Sequence, residues 1–404
     1  MTIMTASLLA GVELAPRDPI LGLTEQYNAD RNPKKVNLGI GVYTDDKGKV
    51  PLLECVRSAE TQLLAQAAPH SYLPIDGLPA YDKAVQALVF GAETPAVKEG
   101  RIITVQALGG TGGLKIGADF LRRVAPKSDV WISDPSWENH RALFGDAGFK
   151  VHTYPYYDAS THGVDFDAML SGLRKIPAGS IVVMHACCHN PTGVDLTADQ
   201  WTSVREVVGS RGLVPFLDIA YQGFGEGIDL DGAAVRRFAQ AGLPVFVSNS
   251  FSKSFSLYGE RVGALSVVTQ SGDEGVRVLS QIKRLVRTNY SNPPSHGGHV
   301  IAKILTTPDL RALWEKELGQ MRDRIRAMRA LLVEKIHSRV PGAYFSFILQ
   351  QKGMFSYSGL TQQQVVRMRE EFGVYALESG RICVAALNMG NIDYSADAIA
   401  SVIR

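Results

Sequence analysis

The segment Ser250-Phe-Ser-Lys253-Ser-Phe-Ser-Leu-Tyr-Gly-Glu-Arg261-Val-Gly263 decides how this chain of 404 residues is interpreted. It begins at the end of 245–250, an apolar run typical of a buried strand, and lysine is rarely buried unless it has a role. A buried amine loses its proton more readily, and only a neutral amine attacks a carbonyl. Lys253 is therefore predicted to form a Schiff base, and the serines and arginine around it are suited to hold a phosphate.

Short apolar runs rich in β-branched residues recur between stretches of helical periodicity. This alternation predicts an α/β fold with a mostly parallel sheet flanked by helices, in which ligands bind beyond the carboxyl ends of the strands. The predicted strands are 102–105, 130–133, 181–184, 214–218, 245–250 and 264–268.

A single long amphipathic helix is predicted from Leu310 to Arg339, because apolar residues recur there three or four positions apart. Its basic residues are expected on the opposite, solvated face rather than in a nucleic-acid patch. They are Arg322, Arg324, Arg326 and Arg329.

The chain is longer than one hydrophobic core usually grows, so two domains are expected. Residues 51–319 are predicted to form a large domain, and residues 1–50 and 320–404 a smaller α+β domain joined to it by the long helix. Short strands are predicted after that helix, at 343–349, 373–376 and 381–385.

Composition and charge exclude several classes of function. The chain has 42 basic and 40 acidic residues, a net charge of +2, with no block of one sign that nucleic acid or an acidic membrane would attract. No apolar run approaches the roughly 20 residues of a bilayer span. The four cysteines, of which Cys187 and Cys188 are adjacent, fit neither a disulfide framework nor a zinc site. We expect a cytoplasmic protein whose partners are small molecules.

A glycine-rich stretch, Leu108-Gly-Gly-Thr-Gly-Gly113, precedes a predicted helix at 114–122. Glycines let backbone N–H groups approach an anion at the positive end of a helix, although an ordinary turn has the same composition. The spacing departs from the G-x-G-x-x-G dinucleotide fingerprint and so disfavours a Rossmann dehydrogenase.

Two further motifs follow predicted strands. In Phe216-Leu-Asp218-Ile-Ala-Tyr221, a buried carboxylate needs a positive partner such as a protonated pyridine nitrogen; a helix N-cap is the alternative. In His185-Ala-Cys-Cys-His189-Asn190-Pro-Thr-Gly193, Asn190 is expected to aim its amide into the cleft, although a capped turn accounts for the same residues. The cysteines and histidine of this motif lack the spacing of a metal site, so no metal is predicted.

The order Asn-Pro-Thr-Gly, Asp-x-x-Tyr, Ser-x-x-Lys and then Arg eight residues later resembles the class I aminotransferases of pyridoxal-phosphate (PLP) fold type I. The resemblance covers nearly the whole chain, from Asp18-Pro-Ile-Leu21 through Asn37-Leu-Gly-Ile-Gly41-Val-Tyr43 to Ser379-Gly-Arg381. It is strongest to the aspartate and aromatic-amino-acid branch, and within it to the aromatic-amino-acid (tyrosine) enzymes. It implies a large domain with a mostly parallel sheet, a smaller α+β domain and PLP as the cofactor.

The resemblance also implies catalytic roles. Lys253 would carry PLP as a Schiff base and then move the proton between the substrate Cα and the cofactor. Asp218 would pair with the pyridine nitrogen. Tyr221 and Asn190 would hydrogen-bond the phenolic oxygen, and Trp137 would stack on the ring.

Further residues are implied around the phosphate and the substrate. His140 would support the acid that faces the ring nitrogen. Arg381 would bind the substrate α-carboxylate with Gly41, Trp137 and Asn190 beside it, and Arg287 would cross a dimer interface to bind the distal carboxylate. A homodimer with shared active sites is thus implied. The implied phosphate-binding residues are Gly110, Thr111, Ser250, Ser252 and Arg261, with Tyr72 from the neighbouring subunit.

The side-chain pocket decides the substrate. Arg287 fits a dicarboxylate such as 2-oxoglutarate in either branch of the family. Val50 and Ser71 stand where strict aspartate enzymes of this family place polar Thr and Asn, whereas Val42 favours the aspartate enzymes. We predict transfer of the amino group of tyrosine and phenylalanine, with tryptophan as a further candidate, to 2-oxoglutarate; aspartate aminotransferase is the alternative. Two carboxylate clamps disfavour a PLP lyase or decarboxylase, and neither a basic patch nor spare length supports a DNA-binding regulator.

Overall fold

The computed structural model describes residues 7–16, 18, 20–69 and 71–404, with a seven-stranded sheet at its centre. Val, Ile and Leu dominate the central strands because a sheet covered on both faces buries successive side chains. The strands are β1 (Val36–Asn37), β2 (Ile102–Leu108), β3 (Val130–Asp134), β4 (Val151–Pro155), β5 (Tyr157–Asp158), β6 (Gly163–Val164), β7 (Ile181–His185), β8 (Val214–Ile219), β9 (Val245–Ser250), β10 (Val262–Val268), β11 (Phe355–Tyr357), β12 (Val374–Tyr375) and β13 (Arg381–Cys383).

The central sheet has the order β2-β10-β9-β8-β7-β3-β4. β10 runs antiparallel to β2 and β9, and the other neighbouring pairs are parallel. The predicted mostly parallel α/β sheet is therefore confirmed, and its six predicted strands all form. β4 was not predicted, because only Tyr154 of its five residues is buried and no apolar run marks it.

Helices cover the sheet and form the rest of the molecule. None of those in the described ranges is long and apolar enough to cross a membrane. They are α1 (Leu21–Ala29), α2 (Glu54–Ala65), α3 (Pro79–Gln86), α4 (Pro95–Lys98), α5 (Gly109–Val124), α6 (Glu138–Asp146), α7 (Phe166–Lys175), α8 (Ala198–Ser210), α9 (Ile228–Asp231), α10 (Ala233–Ala239), α11 (Gly272–Asn289), α12 (Ser295–Thr306), α13 (Pro308–Arg339), α14 (Gln362–Phe372) and α15 (Ile392–Ile403).

The long helix α13 forms as predicted and buries the apolar face that was predicted for it. The expectation that Arg329 lies on the solvated face is wrong, since only 3% of this residue is exposed. Arg329 follows Ile325 by four positions and precedes Leu332 by three, so it shares the buried face of the helix with them.

The carboxyl-terminal part of the chain contributes strands to two small sheets. β1 pairs with β12, and β11 pairs with β13. The predicted strands at 373–376 and 381–385 form in part, as β12 and β13. The predicted strand at 343–349 is wrong, because a 3₁₀ helix at Ser346–Gln350 buries the adjacent Phe347 and Ile348, which a strand would place on opposite faces.

Candidate active site

A cavity lies beyond the carboxyl ends of β7, β8 and β9, beside the start of α5, where a parallel sheet is expected to bind a ligand. It contains every residue of this chain that was predicted to contact the cofactor from within its own subunit. Its lining is Gly110, Thr111, Leu114, Trp137, His185, Asn190, Asp218, Ala220, Tyr221, Ser250, Ser252, Lys253 and Arg261.

Lys253 lies in the turn that follows β9, and its Nζ is 4.9 Å from the centre of the Tyr221 ring. The surrounding protein keeps water from the amine, which lowers the pKa of Lys253 to about 8. The positive charges of Arg261 and Arg381 act in the same direction, whereas Asp218 opposes them. An amine with this pKa is partly neutral near neutral pH and can attack a carbonyl.

Asp218 lies near the end of β8 and is buried. Its Oδ2 accepts a hydrogen bond of 3.0 Å from Nε2 of His140, whose Nδ1 lies 2.9 Å from Oγ of Ser136. Burial by itself raises the pKa of Asp218, but the hydrogen bond from His140 and the electrostatic effect of His140, His185 and Lys253 outweigh it and hold this pKa below its ordinary value. Asp218 therefore stays ionised and can face a cation. The helix N-cap alternative does not hold, because the carboxylate bonds to His140 and the next helix begins at Ile228.

Hydroxyl groups, a guanidinium and a helix terminus form one corner of the cavity. Oγ of Ser250 donates to Oγ of Ser252 over 3.2 Å, and Nη1 of Arg261 donates to the same Oγ of Ser252 over 3.4 Å. The glycine-rich stretch is not a loop but the first turn of α5, which begins at Gly109. A Cβ on Gly110 would lie 3.1 Å from Cβ of Ser250, a tight contact that the glycine avoids. The unpaired N–H groups and positive end of α5 suit a phosphate at this corner.

Arg381, the first residue of β13, is 1% exposed and lies beside the cavity, next to Asn190 of its lining. Nη1 donates to Oδ1 of Asn190 over 3.0 Å, and Nη2 donates to the carbonyl oxygen of Gly39 over 2.8 Å. Nε has no partner among the residues that the structure describes. A buried cation whose bonds go to neutral oxygens is suited to receive a carboxylate from a ligand.

An aromatic ring lies against this arginine. The guanidinium carbon of Arg381 is 4.2 Å from the centre of the Phe355 ring. A Cβ on Gly41 would lie 2.8 Å from Cζ of Phe355, so glycine is needed where the chain passes this ring. Gly41 and Arg381 thus both lie against Phe355, and their roles in substrate binding stay predictions.

Two predicted residues lie away from the cavity. Tyr72 is 91% exposed, and Arg287 is an exposed side chain that hydrogen-bonds Ser291. Val50 and Ser71, which were used to predict the substrate preference, are exposed as well. Tyr72 and Arg287 were predicted to serve the site of a neighbouring subunit, and Val50 and Ser71 to line the side-chain pocket; these assignments stay predictions.

Sequence reasoning assigned no role to His185 in the cavity or to Phe355 beside Arg381. His185 lines the cavity, and neither ring nitrogen has a hydrogen-bond partner in the described part of the chain. Burial lowers the pKa of His185 to about 3, so the ring is neutral. The sequence could have indicated His185, because it ends the apolar run of the buried strand β7. Nothing in the sequence distinguishes Phe355 from other aromatic residues of the core.

The cavity therefore combines four chemical functions. Lys253 offers an amine, Asp218 an anion, the corner beside Arg261 a phosphate site, and Arg381 a cation for a carboxylate. Such a set fits a phosphorylated aromatic aldehyde that carries a basic ring nitrogen, together with an amino or oxo acid.

Comparisons with known proteins agree with this geometry. Residues 33–399 match the family model for aminotransferase class I and II. The chain is 60% identical to an aspartate aminotransferase of Pseudomonas aeruginosa, covering 98% of this chain and 100% of that protein. It is 53% identical to an aromatic-amino-acid aminotransferase of Escherichia coli, covering 96% and 98%. The crystal structure of an aromatic-amino-acid aminotransferase from Burkholderia pseudomallei, covalently bound to pyridoxal phosphate, superposes with a TM-score of 0.96 at 64% identity, covering 99% and 100%.

Proposed function

The chain belongs to the class I and II aminotransferases, and we propose that it transfers the amino group of aromatic L-amino acids to 2-oxoglutarate with pyridoxal 5′-phosphate as its cofactor. The observation that carries this proposal is the enclosed amine of Lys253, which lies between the ionised Asp218 and the phosphate corner and has a lowered pKa. The buried guanidinium of Arg381 adds the carboxylate site that an amino acid requires.

The residues of the cavity fit this cofactor. Lys253 would hold its aldehyde carbon, Asp218 its ring nitrogen, Tyr221 and Asn190 its phenolic oxygen, and Trp137 one face of its ring. When bound, PLP supplies an electron-withdrawing ring that takes up the electrons left when the substrate Cα loses its proton. Asp218 stabilises the positive charge on that ring because it remains ionised in the buried site.

The protein contributes orientation and proton transfer. Arg381 binds the α-carboxylate of the amino acid through its planar fork and so directs the Cα–H bond toward Lys253. Once the substrate amine has displaced it, the freed amine of Lys253 would remove this proton as a general base and return it on the cofactor side as a general acid. With 2-oxoglutarate the same residues run the transfer in reverse, and glutamate leaves.

Aromatic amino acids are the proposed substrates. Support comes from the apolar Val50, from Phe355 beside Arg381, and from the name of the Burkholderia structure at 64% identity. An aspartate aminotransferase is the second candidate, favoured by the name of the Pseudomonas relative at 60% identity. Comparing kcat/KM for phenylalanine, tyrosine and aspartate with 2-oxoglutarate decides between them. A preference for aspartate above about tenfold would overturn the aromatic proposal.

We further propose a homodimer in which Tyr72 and Arg287 of each subunit serve the other subunit's site. The exposed apolar side chains of Leu52 and Leu64, with 64% and 82% exposure, support a second copy on this side of the molecule. The test mixes the inactive variant Lys253→Ala with Arg287→Met, whose KM for 2-oxoglutarate is expected to be raised, in equal amounts, and measures that KM through glutamate formation from phenylalanine. Half of randomly formed dimers are mixed and hold one site that combines Lys253 of one subunit with Arg287 of the other, so about a quarter of all sites should regain the wild-type KM. A mixture that shows only the raised KM of Arg287→Met would contradict the shared site.

Two broader expectations also stand as proposals. The boundaries of the large domain at 51–319 and of the small domain at 1–50 and 320–404 are supported by the two small sheets, which lie apart from the central one; residues 1–6 lie outside the described chain. A cytoplasmic location is supported by the four cysteines, all unpaired thiols.

A further inference from the structure

Arg329 in the middle of α13 is a buried cation that the proposed reaction does not use. Its Nη2 donates to the carbonyl oxygens of Gly353 and Phe355 over 2.6 and 3.3 Å, and its Nε donates to Oγ of Ser356 over 3.2 Å. One guanidinium therefore binds three groups of the segment Gly353–Ser356, which enters β11.

These hydrogen bonds offset the cost of burying the guanidinium of Arg329. A guanidinium taken out of water is unfavourable unless hydrogen bonds replace its hydration, and the acceptors here are neutral oxygens rather than a carboxylate. Burial accordingly lowers the pKa of Arg329 to about 10. An apolar side chain such as methionine would suit this face of α13 without that cost. The presence of arginine therefore suggests that the segment Gly353–Ser356 needs the hydrogen bonds that only a polar side chain supplies.

The bound segment contacts the loop that carries Asn190. The backbone N–H of Lys352 donates to the carbonyl oxygen of Gly193 over 2.6 Å. A Cβ on Gly353 would lie 2.5 Å from Cβ of Cys188, so the backbone of Gly353 packs closely against the side chain of Cys188. The segment is thereby packed against the loop that presents Asn190 to the cavity.

The same segment carries Phe355, whose ring lies beside two residues proposed for the active site. Its ring lies 4.2 Å from the guanidinium carbon of Arg381 and 5.8 Å from the ring of Tyr221, edge to face. It also fills the space beside Gly41, where a Cβ would lie only 2.8 Å away. Phe355 thus limits the positions open to the guanidinium that is proposed to bind the substrate carboxylate.

We propose that Arg329 is a positioning residue for substrate binding. It fixes the backbone of Gly353–Ser356, which holds Phe355 against Arg381 and keeps that guanidinium aimed at the carboxylate. The inference rests on the proposed role of Arg381, but it concerns a residue that touches neither the substrate nor the cofactor.

The test uses the PLP-loaded enzyme and the probe 3-phenylpropionate, which has the ring and carboxylate of phenylalanine but no amine to react. The probe is titrated against the absorbance of the bound cofactor in Arg329→Lys, Arg329→Met and Ser356→Ala. The control is Arg322→Met, which removes an arginine that pairs with Asp323 two turns earlier on α13. The same variants are assayed for kcat and KM with phenylalanine, for PLP content and for thermal unfolding.

We expect Kd for the probe and KM for phenylalanine to rise about tenfold in Arg329→Lys, more in Arg329→Met and about threefold in Ser356→Ala, because bonds from a charged donor are lost. PLP content should stay at the wild-type level, and kcat should change less than KM. If Arg329→Met does not fold, the other two variants decide. Probe affinity equal to that of Arg322→Met, or a loss confined to kcat or PLP content, overturns the proposal. Failure of the wild-type enzyme to bind the probe or to transaminate would instead overturn the proposed function.

Discussion

The cavity around Lys253 and the surface that carries Tyr72 and Arg287 are built in opposite ways, although both are proposed to serve one reaction. In the cavity, Asp218 is 4% exposed and Arg381 is 1% exposed, and both are hydrogen-bonded within the chain. On the surface, Tyr72 is 91% exposed. We propose accordingly that proton transfer uses residues enclosed within one chain, whereas recognition of the second carboxylate depends on a second copy.

The largest effect should come from the enclosed region. Lys253→Ala removes the amine that is proposed to hold the cofactor and move the proton, and we expect the rate of transamination to fall by about four orders of magnitude. The rate is measured in a single half-reaction with phenylalanine, and borohydride reduction followed by peptide mapping should find the pyridoxyl adduct at residue 253 of the wild-type protein.

Lys335→Ala is the control for that variant, because Lys335 pairs with Asp393 on the surface of α13. Its activity should equal that of the wild type. Retention of more than about one per cent of the activity in Lys253→Ala would show that the enclosed amine is not the proton carrier.

The pH dependence of PLP binding by the cofactor-free protein tests whether the amine of Lys253 is enclosed. The pKa of Lys253 is lowered to about 8, so its amine is neutral above that pH and protonated below it. The rate at which cofactor-free protein captures PLP should therefore rise about tenfold per pH unit up to about pH 8 and then level off. The rate is followed by absorbance in rapid mixing.

Two variants test the causes of this shift. Asp218→Asn should move the plateau to lower pH, because Asp218 raises the pKa of Lys253. Arg381→Met should move it to higher pH, because the positive charge that disfavours the ammonium ion is lost. A plateau that stays near the ordinary lysine value of 10.5 in the wild type would contradict the enclosure of this amine.

A smaller loss is expected when the anion of the cavity becomes neutral. Asp218→Asn should lower kcat/KM for phenylalanine about thirtyfold, since a hydrogen bond to a charged group contributes about 1.5–3 kcal/mol. His140→Asn removes only the supporting donor, which lies 3.0 Å from the carboxylate, and should cost less. Equal losses in the two variants would mean that the histidine, rather than the carboxylate, faces the reaction.

The same contrast explains what the sequence could predict. Lys253 and Asp218 follow buried strands whose apolar runs are visible locally, and the ends of parallel strands meet at one edge of a sheet. Arg329 was misplaced because helical periodicity identifies a buried face but not which polar residue on it has found acceptors. The contact of Phe355 with Arg381 joins β11 to β13 across a small sheet, and no local pattern in the sequence indicates such a pairing.

The smallest of these effects should come from the exposed region, and it should depend on the substrate. Arg287→Met should raise KM for 2-oxoglutarate about tenfold, because a dicarboxylate loses a charge-assisted bond at its distal end, while KM for phenylalanine should stay within about twofold. Arg277→Met, which removes an exposed arginine of the same helix, is the matched control.

Within one chain Arg287 donates to Ser291, and this bond competes with any ligand that the arginine reaches in another subunit. Ser291→Ala should therefore lower KM for 2-oxoglutarate by about twofold to threefold, the amount expected for one released hydrogen bond. If Arg287→Met raises KM for phenylalanine as much as KM for 2-oxoglutarate, this surface does not recognise the second carboxylate. The proposed division between an enclosed reaction centre and a shared, substrate-selective surface would then be wrong.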